Sequence, residues 1–341
     1  MRPVLFIMCA ALLLTACRSS QETADRSAGP ALEALDPIVA RARETSLYSD
    51  RVDWAEVQQR FVEIRTANSG ELLGALQYLI NSLGDEHAAI RSAKDFSIVA
   101  FYQGDRAHPD PREPDFLRRV INDTSARFSC DLLEPGVGYL KVVGIGPGDV
   151  LAQAQQIRSG LADLKKRGAD RWILDLRVNG GGNMEPMLAG LAPLLGDGFV
   201  GGAMNRNGEV TREYRIEDGQ FFNSDRLVCE MPNTPTIAPT EKVAVLLSRY
   251  TASSGELVAV AFKGRAHTRF IGEPTAGYTT GTGFDPISDD YVMLISQDRF
   301  MDRDRNSYDR NVGVDEVIEF QHEVELGDDL QVRRALEWLN P

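Results

Sequence analysis

The sequence predicts an α/β protein, with a core built on a largely parallel sheet and a small helical domain before it. In residues 32–90 apolar side chains recur every three or four positions, which is the pattern of helices with one buried face. After Gly136, apolar strand-like runs alternate with amphipathic helix-like segments, which is typical of parallel strands joined by helices. About 310 residues follow the leader, which is enough for one large domain and a smaller one.

Residues 1–16 are predicted to be a lipoprotein signal peptide. Arg2 precedes an apolar run, residues 4–14, that is too short to span a bilayer with margin. The ending Leu14-Thr15-Ala16-Cys17 resembles a bacterial lipobox, in which Cys17 carries the lipid; an ordinary signal peptide with an incidental cysteine is the alternative. Because residue 18 is Arg rather than Asp, the resemblance to Gram-negative lipoproteins favours the outer membrane, with the chain in the periplasm. Residues 17–30 are predicted to be a flexible tether.

The acidic balance of the chain excludes several partners. Without residues 1–16 there are 36 basic and 50 acidic side chains, a net charge of −14. Such a body is a poor ligand for nucleic acid or an anionic lipid surface, so contact with the membrane is expected through the lipid anchor only. Cys130 and Cys229 could form one disulfide in an oxidising periplasm or stay as two buried thiols. Neither has a metal-site spacing, and no metal or organic cofactor is implied.

Residues 31–94 are predicted to be the N-terminal helical domain. One helix is marked by Trp54, Val57, Phe61 and Ile64, with Asp53 and Glu56 as its cap. A second helix follows Ser69, and its apolar positions are Leu72, Leu73, Leu76, Leu79, Ile80 and Leu83. Gly84 stops it and leaves Asp85, Glu86 and His87 in a turn. Any histidine base comes from a short list: His87, His108, His267 and His322.

Residues 95–130, rich in charge and proline, are predicted to be a linker or excursion, and residues 131–341 the α/β core. The excursion is too short to hold an inserted peptide-binding domain of about 90 residues. Predicted strands of the core are 137–143, 171–176, 243–248, 268–272 and 291–297; predicted helices are 150–166, 184–195, 255–263 and one around 332–339, capped near Asp328. A hairpin excursion is expected in 198–235. The mixed Asp/Arg run 298–310 is interpreted as a solvated loop.

The stretch Thr251-Ala252-Ser253-Ser254-Gly255-Glu256 joins a predicted buried strand to a helix. Backbone N–H groups converge at such a junction, which is a good position for a nucleophilic serine. Ser253 followed three residues later by Glu256 is also a capping-box pattern, which needs no chemistry at all. On the local pattern alone, both interpretations stay open.

A second junction, Asn179-Gly180-Gly181-Gly182-Asn183, leaves one predicted strand and opens a helix. Consecutive glycines let N–H groups point together at a phosphate or at the oxyanion of an acyl-transfer intermediate. Neither glycine motif of nucleotide binding is present, so phosphate is the weaker interpretation, and a flexible turn is the other alternative. Ser253, His87 and the Gly181 and Gly182 amides would together supply the nucleophile, the base and the oxyanion donors of serine acyl transfer.

The order of motifs along the chain resembles the tail-specific, or C-terminal-processing, serine peptidases. The resemblance runs from about residue 45 to the end, and its motifs are Leu-Gly-Asp-x-His (83–87), Gly-Tyr-Leu-Lys-Val (138–142), Leu-Asp-Leu-Arg-x-Asn-x-Gly-Gly (174–182), Thr-Ala-Ser-Ser-Gly-Glu (251–256) and Gly-Glu-Pro-Thr-Ala-Gly (272–277). It implies a crotonase/ClpP-like core. Many relatives insert a PDZ domain after the helical domain; no PDZ domain is expected here, because residues 95–130 leave no room for one.

In this superfamily a lysine base usually lies 25 residues after the serine, but that position here is Tyr278. The chain instead resembles the histidine-dependent branch with the nisin-resistance protein and the tricorn core. That branch implies His87 as base, Ser253 rather than Ser254 as nucleophile, and the Gly181 and Gly182 amides as oxyanion donors. By the same resemblance the substrate groove is lined by Asn183 and Met184, with Ser254 and Tyr278 beside them. No acidic partner of His87 is assigned: Asp85 and Glu86 lie too close in sequence to orient the ring reliably, and Glu273 and Asp315 are guesses.

The resemblance therefore predicts a serine endopeptidase that cleaves peptides or unstructured protein tails through an acyl-enzyme, with a Ser/His dyad and no cofactor. Two alternatives remain on the same fold. One is a non-catalytic protein that binds peptides or hydrophobic ligands. The other is an esterase or amidase for small acyl substrates.

Overall fold

The computed structural model describes residues 35–66, 72–104, 116, 128–232 and 235–340. The predicted signal peptide, Cys17 and tether lie outside the described residues. In the part of the chain that is described, no helix is long and apolar enough to cross a membrane.

Three helices open the described chain: α1 (Leu35–Thr45), α2 (Trp54–Thr66) and α3 (Leu72–Leu83), with a 3₁₀ turn at Ser49–Arg51. Asp53 caps α2 as predicted, because its Oδ1 accepts hydrogen bonds from Ala55 N and Glu56 N at 3.0 and 3.1 Å. Gly84 follows α3 with φ +60°, a conformation that glycine adopts without strain. The apolar faces of the helices pack on strand residues Ile90, Ala100, Met293 and Ile295, so these helices share one core with a sheet.

That sheet is antiparallel and has eight strands. They are β1 (Ala89–Ser92), β2 (Ile98–Phe101), β6 (Gly198–Asn205), β7 (Val210–Glu217), β8 (Gln220–Asn223), β9 (Arg226–Leu227), β12 (Thr280–Pro286) and β13 (Tyr291–Met301). Their order is β2-β1-β13-β6-β7-β8-β9, and β12 pairs with the other side of β13. The sequence predicted the 198–235 hairpin and part of β13 only. The segment predicted as helical thus continues into β1, and the predicted linker contains β2.

The second sheet has six strands and confirms the predicted, largely parallel core. Its strands are β3 (Phe128–Glu134), β4 (Val137–Val142), β5 (Arg171–Asp175), β10 (Val243–Leu247), β11 (Thr268–Gly272) and β14 (Glu316–Val317), in the order β14-β11-β10-β5-β4-β3. Only the β3–β4 pair is antiparallel. Near-continuous apolar runs form β5 and β10, as expected for strands buried on both faces.

Four helices complete the core: α4 (Val150–Lys166), α5 (Met184–Leu195), α6 (Ser254–Phe262) and α7 (Leu330–Leu339). Buried residues of α4, α5 and α6 share one hydrophobic cluster with both sheets, so these three helices fill the space between them. Residues of α7 pack on the opposite face of the parallel sheet. Residues 102–127 separate β2 from β3 and are fewer than the ~50 residues of a small domain, which leaves no room for a PDZ domain there.

Two details of the structure differ from the predictions, and a third decides between two alternatives that the sequence left open. Cys130 and Cys229 are free thiols rather than a disulfide. The run interpreted as a solvated loop begins inside β13: Asp298 is buried, and Thr211 donates to its Oδ2 at 3.1 Å. The cap of α7 is Asp329 rather than Asp328, because Asp329 Oδ1 accepts from the first turn of that helix.

Candidate active site

Ser253 lies at the sharp turn between β10 and α6, in a backbone conformation with φ +53° and ψ −120°. Residues with side chains rarely adopt it, and such a position costs of order 1–3 kcal/mol unless its surroundings enforce it. The caps of α4, α5 and α7 are instead extended, with φ of −71°, −85° and −68° at Asp149, Asn183 and Asp329. Ser253 is thus the N-cap residue of α6 with the predicted capping box, but its backbone conformation differs from those of the other three caps. Its geometry is that of a serine presented on a strand-to-helix elbow.

The Glu256 carboxylate holds this elbow from inside. It is fully buried, and its Oε2 accepts from Ser253 N at 2.8 Å. Its Oε1 accepts from Gly277 N at 2.8 Å and from Thr275 Oγ1 at 2.5 Å. Burial raises the pKa of Glu256 to about 7, against the opposite pull of these hydrogen bonds. The predicted capping box is thus present, and its glutamate ties the elbow to residues 275–277.

The glycine loop packs directly on the elbow through Asn179, which is fully buried. The Asn179 carbonyl accepts from Ala252 N at 2.9 Å, and its Oδ1 accepts from Gly181 N at 3.0 Å. Gly181 has φ +103°, and a Cβ there would lie 2.8 Å from Ser253 Cβ. A Cβ on Gly255 would lie 2.3 Å from Asn179 O. Both contacts require glycine, so the loop and the elbow interlock at backbone distance.

The predicted oxyanion donors lie beside Ser253, and they differ in burial and in their hydrogen bonds. Gly181 is buried, and its N–H points at Asn179 Oδ1; Gly182 is exposed, and its carbonyl accepts from Ser254 Oγ at 2.6 Å. Sequence reasoning missed a third amide, that of Ser254. As the first residue of α6, Ser254 carries one of the N–H groups that a helix leaves unpaired at its start. The sequence does indicate this amide, because Ser254 directly follows the candidate nucleophile.

A buried ion-pair network fixes the base of the glycine loop. Arg177 follows β5 and forms an ion pair with Asp175 at 2.6 Å and with Asp329, the cap of α7, at 2.5 Å. Tyr139 OH donates to Asp175 Oδ2 at 2.6 Å, and burial beside that carboxylate holds the pKa of Tyr139 well above its usual range. Ser248 Oγ donates to the Arg177 carbonyl and so joins the network to the end of β10.

His87 begins a relay of hydrogen bonds that ends on a buried carboxylate. Its Nδ1 is 3.1 Å from Thr280 Oγ1, which is 2.8 Å from Ser296 Oγ. Ser296 Oγ donates to Asp85 Oδ1 at 2.8 Å, and Asp85 is 1% exposed. Asp85 also accepts from Ser296 N at 2.7 Å and from His87 N at 3.0 Å. Two hydroxyl groups thus join the His87 ring to the Asp85 carboxylate, which also contacts the His87 backbone N–H directly.

The relay assigns a tautomer to His87. A carboxylate can only accept, so Ser296 donates to Asp85, Thr280 donates to Ser296, and the His87 Nδ1–H donates to Thr280. Nε2 is then the unprotonated nitrogen that can take a proton. The ring of Tyr278, at the position of the usual lysine, lies 5.2 Å from the His87 ring and is tilted by 56°.

The remaining predicted groove residues are partly exposed at the start of α5. Asn183 caps the helix by accepting from Glu185 N at 3.1 Å, and its own N–H donates to Ile145 O at 2.7 Å. Met184 follows it and packs against the core. His322 lies instead in an aromatic cluster with Phe116, Tyr250 and Phe320. The described residues contain no group of His, Cys, Asp and Glu that could hold a metal ion.

Residues 136–320 match the profile of peptidase family S41. The chain is 26% identical over 274 residues to the nisin-resistance protein of Lactococcus lactis subsp. lactis, covering 78% of this chain and 76% of that protein. It is also 26% identical over 169 residues to a carboxyl-terminal-processing protease of Synechocystis sp., covering 49% of this chain and 34% of that protein.

Solved structures share the fold. A lipoprotein from Streptococcus agalactiae superposes with a TM-score of 0.67 at 20% identity, covering 94% of this chain and 99% of that one. The photosystem II D1 C-terminal processing protease superposes with a TM-score of 0.57 at 14% identity, covering 86% of this chain and 94% of that one. At these identities the superpositions establish the architecture of the chain.

Proposed function

The chain belongs to peptidase family S41, and from that membership we propose that it is a serine endopeptidase that cuts peptides or unstructured protein tails through an acyl-enzyme. The observation that carries the proposal is the strained Ser253 elbow packed against the Gly181 loop. A cap needs neither the strain nor the contact. Both suit a nucleophile, because a sharp elbow exposes the serine oxygen and the glycine loop brings amides beside it that can receive an oxyanion.

In the proposed mechanism Ser253 Oγ attacks the scissile carbonyl carbon while His87 Nε2 takes the serine proton. Donation from Nδ1–H to Thr280 fixes the ring, and the relay to Asp85 stabilises the positive charge that the imidazole gains. His87 then returns the proton to the leaving amine. Water attacks the ester carbonyl of the acyl-enzyme with the same base and releases Ser253.

The oxyanion of each tetrahedral intermediate is assigned to amides at the contact between loop and elbow. Gly182 N–H and Ser254 N–H are the proposed principal donors, because the Gly181 N–H already has an acceptor in Asn179 Oδ1. A bound oxyanion would have to share the Gly181 amide with that oxygen. Removing one such donor typically lowers kcat by about 10²- to 10³-fold. Asn183, Met184, Ser254 and Tyr278 are proposed to line the groove that holds the substrate.

The proposed location is the periplasmic face of the outer membrane, with the chain anchored by a lipid on Cys17. Similarity to the nisin-resistance protein and to a lipoprotein of known structure supports an exported, membrane-associated protein. Radiolabelled palmitate incorporated by the wild type and not by Cys17→Ser is the expected result. Equal incorporation in both would exclude lipidation at Cys17.

The function is tested with β-casein, an unstructured protein, and with a fluorophosphonate probe. Wild type is expected to cleave the casein and to be labelled at Ser253. Ser253→Ala and His87→Ala are expected to lose cleavage with a nearly unchanged Tm, because neither side chain fills the hydrophobic core.

The matched control is His267→Asn, since Asn tolerates the positive φ of that position, and it should keep wild-type rates. Full activity in Ser253→Ala would refute the proposal. Labelling with ester turnover but no peptide cleavage would identify an esterase, and a folded wild type that is neither labelled nor active would identify a binding protein.

A further inference from the structure

The outer edge of β12 starts next to the His87 relay and is open as far as the described residues show. In the described part of the chain, β12 pairs with β13 and with no other strand. Its first residue is Thr280, whose hydroxyl contacts His87. The strand then runs Gly281-Thr282-Gly283-Phe284, and side chains of the neighbouring strand β13 cover the faces of its two glycines, Asp298 at Gly281 and Gln297 at Gly283.

The hydrogen bonds of the partner strand show which groups of β12 point outward. Ser296 pairs with Thr282, but its N–H donates to Asp85 and its carbonyl accepts from Leu47 N. The backbone of Ser296 therefore faces away from β12, and the pair with Thr282 is of the non-hydrogen-bonded kind. Since alternate residues share an orientation, the N–H and C=O groups of Thr282 and Phe284 point to the open side.

Apolar surface flanks this edge on both faces of the sheet. On one face the Phe284 ring, in a residue that is 57% exposed, stacks on Phe96 with centroids 5.1 Å apart and planes within 7°. On the other face Asp285 forms an ion pair with Arg41 of α1 at 2.7 Å. A pocket of about 370 Å³ lies between that helix and the strand, lined in part by Pro37, Ile38, Pro286, Ile287 and Met293.

We propose that the open edge of β12 binds the peptide substrate as an added strand, whose backbone pairs with Thr282 and Phe284 while its end reaches Ser253. The occupant is an extended peptide, because a row of alternating donors and acceptors is complementary to a peptide main chain. The peptide is the substrate rather than another ligand, because β12 also carries Thr280, which contacts His87 in the proposed catalytic site. The inference rests on the proposed endopeptidase function.

Because successive side chains of a strand point to opposite faces of the sheet, this binding mode determines which substrate side chains are preferred. A substrate side chain opposite Phe284 lies on the Phe96 face, and the side chain opposite Asp285 points toward the α1 pocket. Phe284 lies four residues beyond Thr280, about 13 Å along the strand at ~3.3 Å per residue. An apolar or aromatic residue about four positions from the cleaved bond is therefore preferred.

The first test measures cleavage of β-casein by edge variants. Thr282→Pro removes an N–H that points outward, where proline does not break the pairing with β13, and Phe284→Ala removes the stacked ring. Each is expected to raise KM about five- to tenfold with little change in kcat. An increase of this size corresponds to the loss of one or two backbone or apolar contacts with the bound substrate. Val317→Ala removes a side chain that is 74% exposed on β14, an edge strand of the other sheet, and should leave KM unchanged.

The second test does not depend on the folding of any variant. A peptide from a casein cleavage site is synthesised with one backbone N-methyl group at successive positions, and KM is measured with the wild-type enzyme. Strand addition predicts raised KM at alternate positions and little effect at the position between them. Cleavage without that alternation, together with wild-type KM in both edge variants, would overturn the inference and leave the peptidase intact. Absence of any cleavage by the wild type would instead refute the proposed function.

Discussion

Ser253 is held in a conformation that its own side chain disfavours, and its neighbours supply the force that holds it. Its N–H donates to Glu256, and its carbonyl accepts from Leu257 N at 3.0 Å in the first turn of α6; Gly181 packs so close that it has no space for a side chain. The strain of about 1–3 kcal/mol is thus offset by several fixed contacts. A serine in this state is positioned before any substrate arrives.

Breaking the hydroxyl relay between His87 and Asp85 is expected to slow catalysis. Thr280→Val keeps the shape of the side chain but removes the acceptor for His87 Nδ1–H, and Ser296→Ala removes the link to Asp85. Because general-base catalysis contributes about 10²- to 10⁴-fold, losing the orientation of the base is expected to lower kcat roughly ten- to hundredfold with KM nearly constant. Steady-state kinetics on β-casein measure this, and Thr280→Ser should restore the rate. Wild-type kcat in Thr280→Val would show that the relay does not position His87.

The buried Glu256 predicts a pH dependence of stability. Its pKa in the folded protein is about 7, above the ordinary value of 4.5. Between these two values the folded state holds a proton that the unfolded state has lost, so stability decreases as pH rises from about 4.5 to 7 and is constant above. The difference is about 3 kcal/mol, since each pKa unit corresponds to about 1.36 kcal/mol.

Urea unfolding of wild type and Glu256→Gln at pH 5 and pH 8 isolates this group, because the other titrations cancel between the two proteins. The stability of the wild type relative to the variant should be lower at pH 8 than at pH 5. The same relative stability at both values would contradict the raised pKa of Glu256.

At the scale of elements, the glycine loop after β5 and the elbow after β10 form one unit. These neighbouring parallel strands end at the same edge of the sheet, so the two junctions meet there. Gly181→Ala would place a methyl group against Ser253 Cβ at a φ that alanine disfavours. A loss of activity of about a hundredfold or more is expected, since displacing the donors removes much of the oxyanion stabilisation.

Gly313→Ala is the matched control for Gly181→Ala. A Cβ on Gly313 meets no heavy atom within 4 Å, so this variant should keep both its activity and its Tm. Fluorophosphonate labelling and thermal unfolding report the two properties separately. Unimpaired labelling of Gly181→Ala would show that the close contact with Ser253 is not needed for function.

The elements that sequence reasoning predicted well are those with long, uniform patterns. Val150–Lys166, Met184–Leu195 and Thr268–Gly272 have the predicted bounds, because amphipathic periods and apolar runs are local signals. β1 and β2 have four residues each, and β12 is rich in glycine, so none of them stands out from a loop. The hydrogen-bond relay from His87 to Asp85 could not be predicted from the sequence, for a different reason. Thr280 meets Ser296 through the pairing of β12 with β13, and Asp85, more than 190 residues before them in the chain, lies next to β1, which pairs with the other side of β13.

At the scale of the whole molecule, the two sheets and the helices between them are held together without a covalent link among the described residues. Cys130 and Cys229 are free, and burial raises the pKa of both thiols, which lowers their reactivity. A reducing agent is therefore expected to leave Tm unchanged within about 1 °C, as measured by thermal unfolding with and without dithiothreitol. A drop of several degrees would reveal a disulfide in the folded protein.

The proposed nucleophile and the proposed base belong to different sheets. Ser253 follows a strand of the parallel sheet, whereas His87, Thr280 and Ser296 lie in or next to strands of the antiparallel one. Under the proposed mechanism, a chain that has completed only one sheet has half of a site and no activity. If the proposed mechanism holds, a chain of this design does not digest itself or its neighbours while it is still folding. Under the same mechanism, activity begins only when β12 and β13, the last long strands of the chain, complete the antiparallel sheet.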